Sequence, residues 1–246
     1  MGLGAAVDRY RDLAVGRPGL WALLRYEALT GLLGPLPGAV GIALRSALYP
    51  RLFGEAGRGV TIGRSVTLRG PGRIHVGDGV ALDDYVQLAT REPGSSIRIG
   101  AGSLVARGTL IHARGGTVEI GPESSIGTHC RFGTTGSIRI GRYALFAAGC
   151  YVGGENHPVD DPSTPMVKQP VISKGGVRIG EDVWLGFRST VLDGVTIGDG
   201  AVLGAHALAT HDIPPGAIAV GSPARVVRYR DDLVTAEDGS GTEVNP

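Results

Sequence analysis

The residues with the clearest capacity for chemistry lie in one irregular segment. From 153 to 177 the chain reads GGENHPVDDPSTPMVKQPVISKGGV, with Asn156-His157-Pro158 near its start. A neutral imidazole has an ordinary pKa of about 6.5, so it can accept a proton near working pH and return it later. Glu155, Asp160 and Asp161 lie within loop reach of His157, and any one of the three could orient its ring. A Pro-rich stretch of this length inside a regular pattern is expected to project as a loop, and long loops in compact repeats usually carry function. The bland alternative is a solvated loop histidine. His129 stands just before Cys130, while His206 and His211 are spaced as a pair. The two cysteines are too few for a disulfide scaffold and have no thiolate zinc spacing. No Ser stands in a nucleophile-elbow motif.

These residues must be positioned by a repeat. Of 246 residues, 42 are Gly, more than twice the usual share of roughly 7%. Collagen is excluded because no Gly-X-Y triplet persists, and a hydrophobic fraction of 42% excludes disorder. Apolar residues recur every six positions at Ile179, Leu185, Val191, Ile197, Leu203 and Ala209. Small or β-branched residues follow four later, at Val183, Ser189, Val195, Ala201 and Ala207. The same register runs through Ile62-Leu68-Ile74, Val76-Leu82-Leu88, Ile99-Val105-Ile111, Ile120-Ile126-Phe132 and Ile140-Phe146-Val152. A six-residue period fits neither a helix at 3.6 nor a long alternating strand. It fits short strands separated by tight corners, in about seven three-sided coils. Gly180, Gly186, Gly198 and Gly204 are read as corner residues, chosen for backbone freedom. A Gly-rich β-sandwich would need longer strands with period-2 alternation.

The rest of the chain divides around this prism. Residues 1–58 contain helix-compatible segments at 7–15, 20–33 and 39–52, expected to cover the first coil. Residues 59–229 form the repeat domain with the 153–177 loop inserted, and residues 230–246 form a polar tail expected to be mobile. The apolar stretch from Ala28 to Leu44 is broken by Pro35 and Pro37, and it falls short of the roughly 20 residues a membrane span needs. No secretory leader is recognised at the N-terminus, so a cytoplasmic location is expected. A net charge of +1 gives no nucleic-acid footprint. Lys occurs only at 168 and 174, so 22 of the 24 basic residues are Arg. Their spread along every coil reads as compositional bias rather than as a phosphate site.

From Ile179 to Arg228 the chain reads IGEDVWLGFRSTVLDGVTIGDGAVLGAHALATHDIPPGAIAVGSPARVVR. Hexads, an NHP loop, VWLG and GSPARVV together resemble the hexapeptide-repeat acyltransferases over about 59–228. The resemblance is strongest to the maltose, galactoside and exopolysaccharide O-acetyltransferases, and the helical start is similar to polysaccharide-biosynthesis members. The resemblance implies an all-β, left-handed parallel β-helix, a homotrimer, acetyl-CoA or another acyl-CoA as co-substrate, and a sugar or similar acceptor. It implies that His157 is the general base, with no covalent intermediate and no metal. Asn156, His129 and Trp184 fall at acceptor or cleft positions, Trp184 as an outward corner residue; His129 stands where the family has Asn. Gly186, Ala205, Thr210, Ser222 and Arg225, joined by Arg228, match the stretch that holds the pantetheine arm and nucleotide. Phe187 and His211 depart from the family's Ser and Lys. Two other readings remain: a γ-type carbonic anhydrase-like zinc lyase built on the same prism, whose three-His site would take His206 and His211 with His112 or His129 as the third ligand, and a catalytically inactive structural trimer. The register also stacks Cys130 under Cys150, which predicts two buried, unpaired thiols.

Overall fold

A computed structural model describes residues 3–16 and 19–231. Each hexad supplies a short strand whose final residue points inward, as in Trp184–Leu185, Thr190–Val191 and Thr196–Ile197. Three such strands close one coil, and each strand pairs in parallel with its equivalents above and below. The result is three sheets of seven, nine and seven strands, here called A, B and C, wound as a left-handed parallel β-helix of about seven coils. Such stacking leaves sheet edges only at the two ends.

The inward column of sheet A runs Ile99-Ile120-Ile140-Ile179-Ile197. Sheet B contributes Val105-Ile126-Phe146-Leu185-Leu203, and sheet C Ile111-Phe132-Val152-Val191-Ala209. All are buried. Cys130 and Cys150 are fully buried, unpaired and one coil apart, as the register predicts. Each Sγ lies 3.2 Å from the Ala147 carbonyl.

Two details of the repeat differ from expectation. Ile74 does not close the first coil: it shares the strand Ile74–Val76 with Val76 and pairs with Ile97. The first coil is Ala56-Ile62-Leu68, aligned with Val76-Leu82-Leu88. The cause is a longer connection, a left-handed Gly70 followed by a short 3-10 turn over Pro71–Arg73. The hexad glycines also have a different purpose. Gly180, Gly186, Gly198 and Gly204 do not adopt positive φ; the left-handed corner falls two residues later, at Asp182, Arg188, Gly200 and His206. What requires Gly is close approach between coils, since a Cβ on Gly198 would lie 2.4 Å from the Pro215 nitrogen.

The N-terminal residues form α1 (Leu3–Ala14), α2 (Leu20–Leu33) and α3 (Gly38–Leu48). They cover the first coil through polar anchors as well as packing. Arg45, 1% exposed, donates from Nε to the Ile62 carbonyl and from Nη1 to those of Leu33 and Leu36. Tyr26 donates its hydroxyl to the Leu68 carbonyl at 2.6 Å. At the far end, Arg225–Tyr229 folds back antiparallel on Ala217–Val220. Most of the polar tail, residues 232–246, lies outside the described residues. No described helix is long and apolar enough to cross a membrane.

Candidate active site

The outer face of sheet C holds a cavity, and the strand register explains it. One outward column runs Ala89-His112-Gly133-Gly153, and its neighbour runs Gln87-Leu110-Arg131-Tyr151. Gly133 and Gly153 present no side chain, so the wall is hollow above His112. Neighbouring side chains fold into that space. A Cβ on Gly153 would lie 2.5 Å from the Tyr151 ring, and one on Gly133 would lie 3.0 Å from Glu155 Oε1. The resulting cavity has a volume of about 340 Å³, at the small end of the roughly 300–1,000 Å³ typical of ligand sites.

His157 lines this cavity, brought there by the loop that leaves the strand Tyr151–Gly154. The ring is exposed, and among the described residues no hydrogen bond fixes it. Of the three loop carboxylates, Glu155 shares the cavity and pairs with Arg114 at 3.4 Å. Asp161 instead accepts from the backbone and hydroxyl of Ser163, which hold its carboxyl down at about 2.

Asp193 carries more of the loop than any residue the motifs single out. Its carboxylate, 8% exposed, accepts from the backbone N–H groups of Lys174 and Gly176 and from Ser173 Oγ. It also accepts from Asn156 Nδ2 at 3.4 Å. Asn156 and Ile172 exchange two backbone hydrogen bonds of 2.7 Å. The two ends of the loop are thereby tied together beneath His157. Asn156 spends both its backbone and its side chain on this tie.

The other sequence-derived candidates fall elsewhere. His129 is exposed at a corner with left-handed φ. Its ring covers Gly108, where a Cβ would approach its Nδ1 to 2.4 Å, and it does not line the His157 cavity. Trp184 is half exposed and sits on a strand of sheet B rather than at a corner. It lines an apolar groove with Leu145, Val202 and Arg228. Gly186 and Ala205 stack directly in adjacent coils, a Cβ on Gly186 reaching 2.6 Å from the Ala205 nitrogen. Thr210 Oγ1 lies 2.9 Å from His211 Nδ1. Ser222 and Arg225 are exposed beside the final hairpin, with Arg225 donating to the Ala224 carbonyl. His206 stacks edge-on against Phe187. Among the described residues, no three His, Cys, Asp or Glu side chains gather to hold a metal.

Sequence reasoning named His112 only as a candidate zinc ligand, and missed both its place beside His157 and the arginines around it. Arg91, Arg114 and Arg131 line the same cavity as His157. Burial first, then Arg91, Arg131, Arg69 and Arg114, push the His112 pKa below its usual 6.5, because each opposes a further positive charge. The reading of the arginines as merely scattered is corrected for these three.

Fold and repeat together define the architecture: a left-handed parallel β-helix built on a six-residue repeat. Residues 176–211 match the family described as bacterial transferase hexapeptide, six repeats. The chain is 38% identical over 159 residues to a probable acetyltransferase of Mycobacterium tuberculosis, covering 65% of this chain and 51% of that protein. It is 36% identical over 123 residues to a putative acetyltransferase of Staphylococcus aureus, covering 50% and 60%. The chain therefore spans about half to three-fifths of these relatives' length.

Solved structures of similar fold include the polySia-specific acetyltransferase NeuO, with TM-score 0.56, 19% identity and coverage of 72% of this chain and 82% of that one. AntD, an N-acyltransferase from Bacillus cereus in complex with dTDP and 3-hydroxybutyryl-CoA, has TM-score 0.54, 22% identity and coverage of 79% and 93%. At these identities the likeness concerns the fold alone.

Proposed function

We propose that the protein transfers an acyl group, acetyl in the simplest case, from acyl-CoA to a hydroxyl of a sugar-like acceptor. The observation that carries this reading is His157, held by an anchored loop at a cavity on the side of a hexapeptide-repeat β-helix. The acetyltransferase relatives, and the acyl-CoA bound by AntD, support a thioester donor.

In the proposed reaction the His157 imidazole accepts the proton of the acceptor hydroxyl as its oxygen attacks the thioester carbonyl. The tetrahedral intermediate collapses, the C–S bond breaks, and the CoA sulfur takes the proton back from the imidazolium. General-base assistance of this kind contributes about 10²- to 10⁴-fold. The donor would lie along the last coils. There the small, exposed Ala205 would leave room for a pantetheine arm against backbone amides, with Gly186, Thr210 and Ser222 beside it. Arg225 and Arg228 would meet phosphate charge. A homotrimer completes the proposal: one prism offers a single wall, and a neighbour would supply the second against Trp184 and His129. Incubation with acetyl-CoA and a panel of sugars, sugar phosphates and nucleotide sugars, read by mass spectrometry, tests it. The expected result is an acetyl ester of one acceptor class; release of CoA with no acylated product from any acceptor would count against it.

A further inference from the structure

The cavity beside His157 has a charge that proton transfer to a neutral sugar does not explain. Three guanidinium groups, Arg91, Arg114 and Arg131, line it together with one carboxylate, Glu155. Glu155 is committed to Arg114, and no described ion pair or hydrogen bond neutralises Arg91 or Arg131. Two like charges converging on one hollow repel each other, an arrangement that costs stability unless an anion fills it.

The placement follows from register rather than chance. Arg91 and Arg114 occupy equivalent positions one coil apart, just past strands Gln87–Thr90 and Leu110–Ala113. Arg131 opens the next strand of the same sheet. All three belong to coils on the N-terminal side of the loop. Gly186 and Ala205, by contrast, lie two and three coils beyond the strand that carries Arg131. An anion held by the three arginines is thus on the opposite side of His157 from the coils assigned to the donor, which makes it part of the acceptor rather than of CoA.

We propose that the acceptor carries a dianionic phosphate group, seated on Arg91, Arg114 and Arg131, with its hydroxyl presented to His157. Three positive charges against one negative leave a surplus of two, which matches a phosphate monoester or diphosphate better than a single carboxylate. Guanidinium forks bind phosphate oxygens in pairs, which fixes orientation as well as charge. Half-buried His112 at the floor offers ring nitrogens to the sugar and, with its protonation suppressed, leaves the arginines to hold the anion. This inference rests on the acyltransfer reading for the word acceptor, but the anion site itself is tested without catalysis.

The test is calorimetric titration of the full chain, without CoA, with glucose, glucuronate, glucose 1-phosphate and UDP-glucose. The expected result is that the two phosphate compounds bind at least tenfold more tightly than glucose or glucuronate. Whichever phosphate compound binds better identifies a sugar phosphate or a nucleotide sugar as the source. Arg91→Gln and Arg131→Gln should each weaken that binding about ten- to a hundredfold, the usual effect of losing a charged hydrogen bond. Arg98→Gln, an exposed change on sheet A, should leave it unaltered. Both cavity arginines are exposed, so circular dichroism should show the fold unchanged. Equal affinity for glucose and glucose 1-phosphate, tightest binding of glucuronate, or an equal loss in Arg98→Gln would each overturn the proposal. Tight phosphate binding without acetyl transfer would leave the anion site standing and remove the acyltransfer reading; acetylation of neutral sugars untouched by Arg91→Gln would do the reverse.

Discussion

Asp193→Ala should loosen the His157 loop without unwinding the β-helix. The wild-type carboxylate receives two backbone N–H bonds from the end of the loop, the Gly176 donor being buried at 2.8 Å. It also receives two side-chain bonds, from Ser173 and from Asn156 at its start. The side-chain donors can turn to water, whereas the backbone donors cannot. At about 1.5–3 kcal/mol for each hydrogen bond to a charged group, losing two costs about 3–6 kcal/mol locally. At roughly 1.4 kcal/mol per factor of ten, the displaced loop gains about 10²- to 10⁴-fold in relative population. Hydrogen exchange followed by mass spectrometry should show residues 155–176 exchanging faster while residues 97–132 keep their protection. Turnover should fall with acyl-CoA affinity unchanged, because Asp193 touches the loop rather than the last coils. Asp193→Asn, which retains one acceptor oxygen, should fall between. Unchanged loop exchange in Asp193→Ala would show that the carboxylate is not the anchor.

Four further outcomes follow from packing and charge. Gly198→Ala should destabilise by about 1–3 kcal/mol in chemical denaturation, because its Cβ would press on the Pro215 backbone at 2.4 Å. Gly216→Ala meets open space but sits at φ 66°, so it should cost about 1 kcal/mol from backbone strain alone. Arg45→Leu strands three carbonyls under the N-terminal helices and should cost about 3–5 kcal/mol; a midpoint shift below 1 kcal/mol would refute that. His112 holds a folded pKa below the unfolded 6.5, so the folded state resists its protonation. Stability is therefore complete above about pH 6.5 and declines as pH falls from there through the folded value. His112→Gln should flatten that decline in Tm between pH 7 and 5, and an unchanged slope would remove His112 as its source.

The coils were legible because one inward residue per hexad is a strong signal: Ile179 through Ala209 recur at an unbroken period, and every one is buried. Ile74 was assigned to the wrong coil because a period count cannot see that Gly70–Arg73 lengthens one connection. The hexad glycines were recognised but misread, since contact with the coil above is invisible within a single repeat. His157 stood out through its motif and its break from the pattern. The arginines did not, because positions 91, 114 and 131 meet only after three coils are stacked. Their spacings are unequal, since Arg91 and Arg114 follow their strands whereas Arg131 opens its own. Asp193 belongs to no motif, and its four donors arrive from a loop that sequence alone does not fold.

The central claim is that His157 takes the acceptor proton, and the most direct measurement is the rate of acyl transfer by His157→Ala relative to wild type. Both proteins should be compared at saturating acetyl-CoA, with sedimentation confirming the same assembly and circular dichroism the same fold. The account predicts a loss of about 10²- to 10⁴-fold with acetyl-CoA still bound. A variant that turns over at close to the wild-type rate, with its fold and assembly intact, would contradict it.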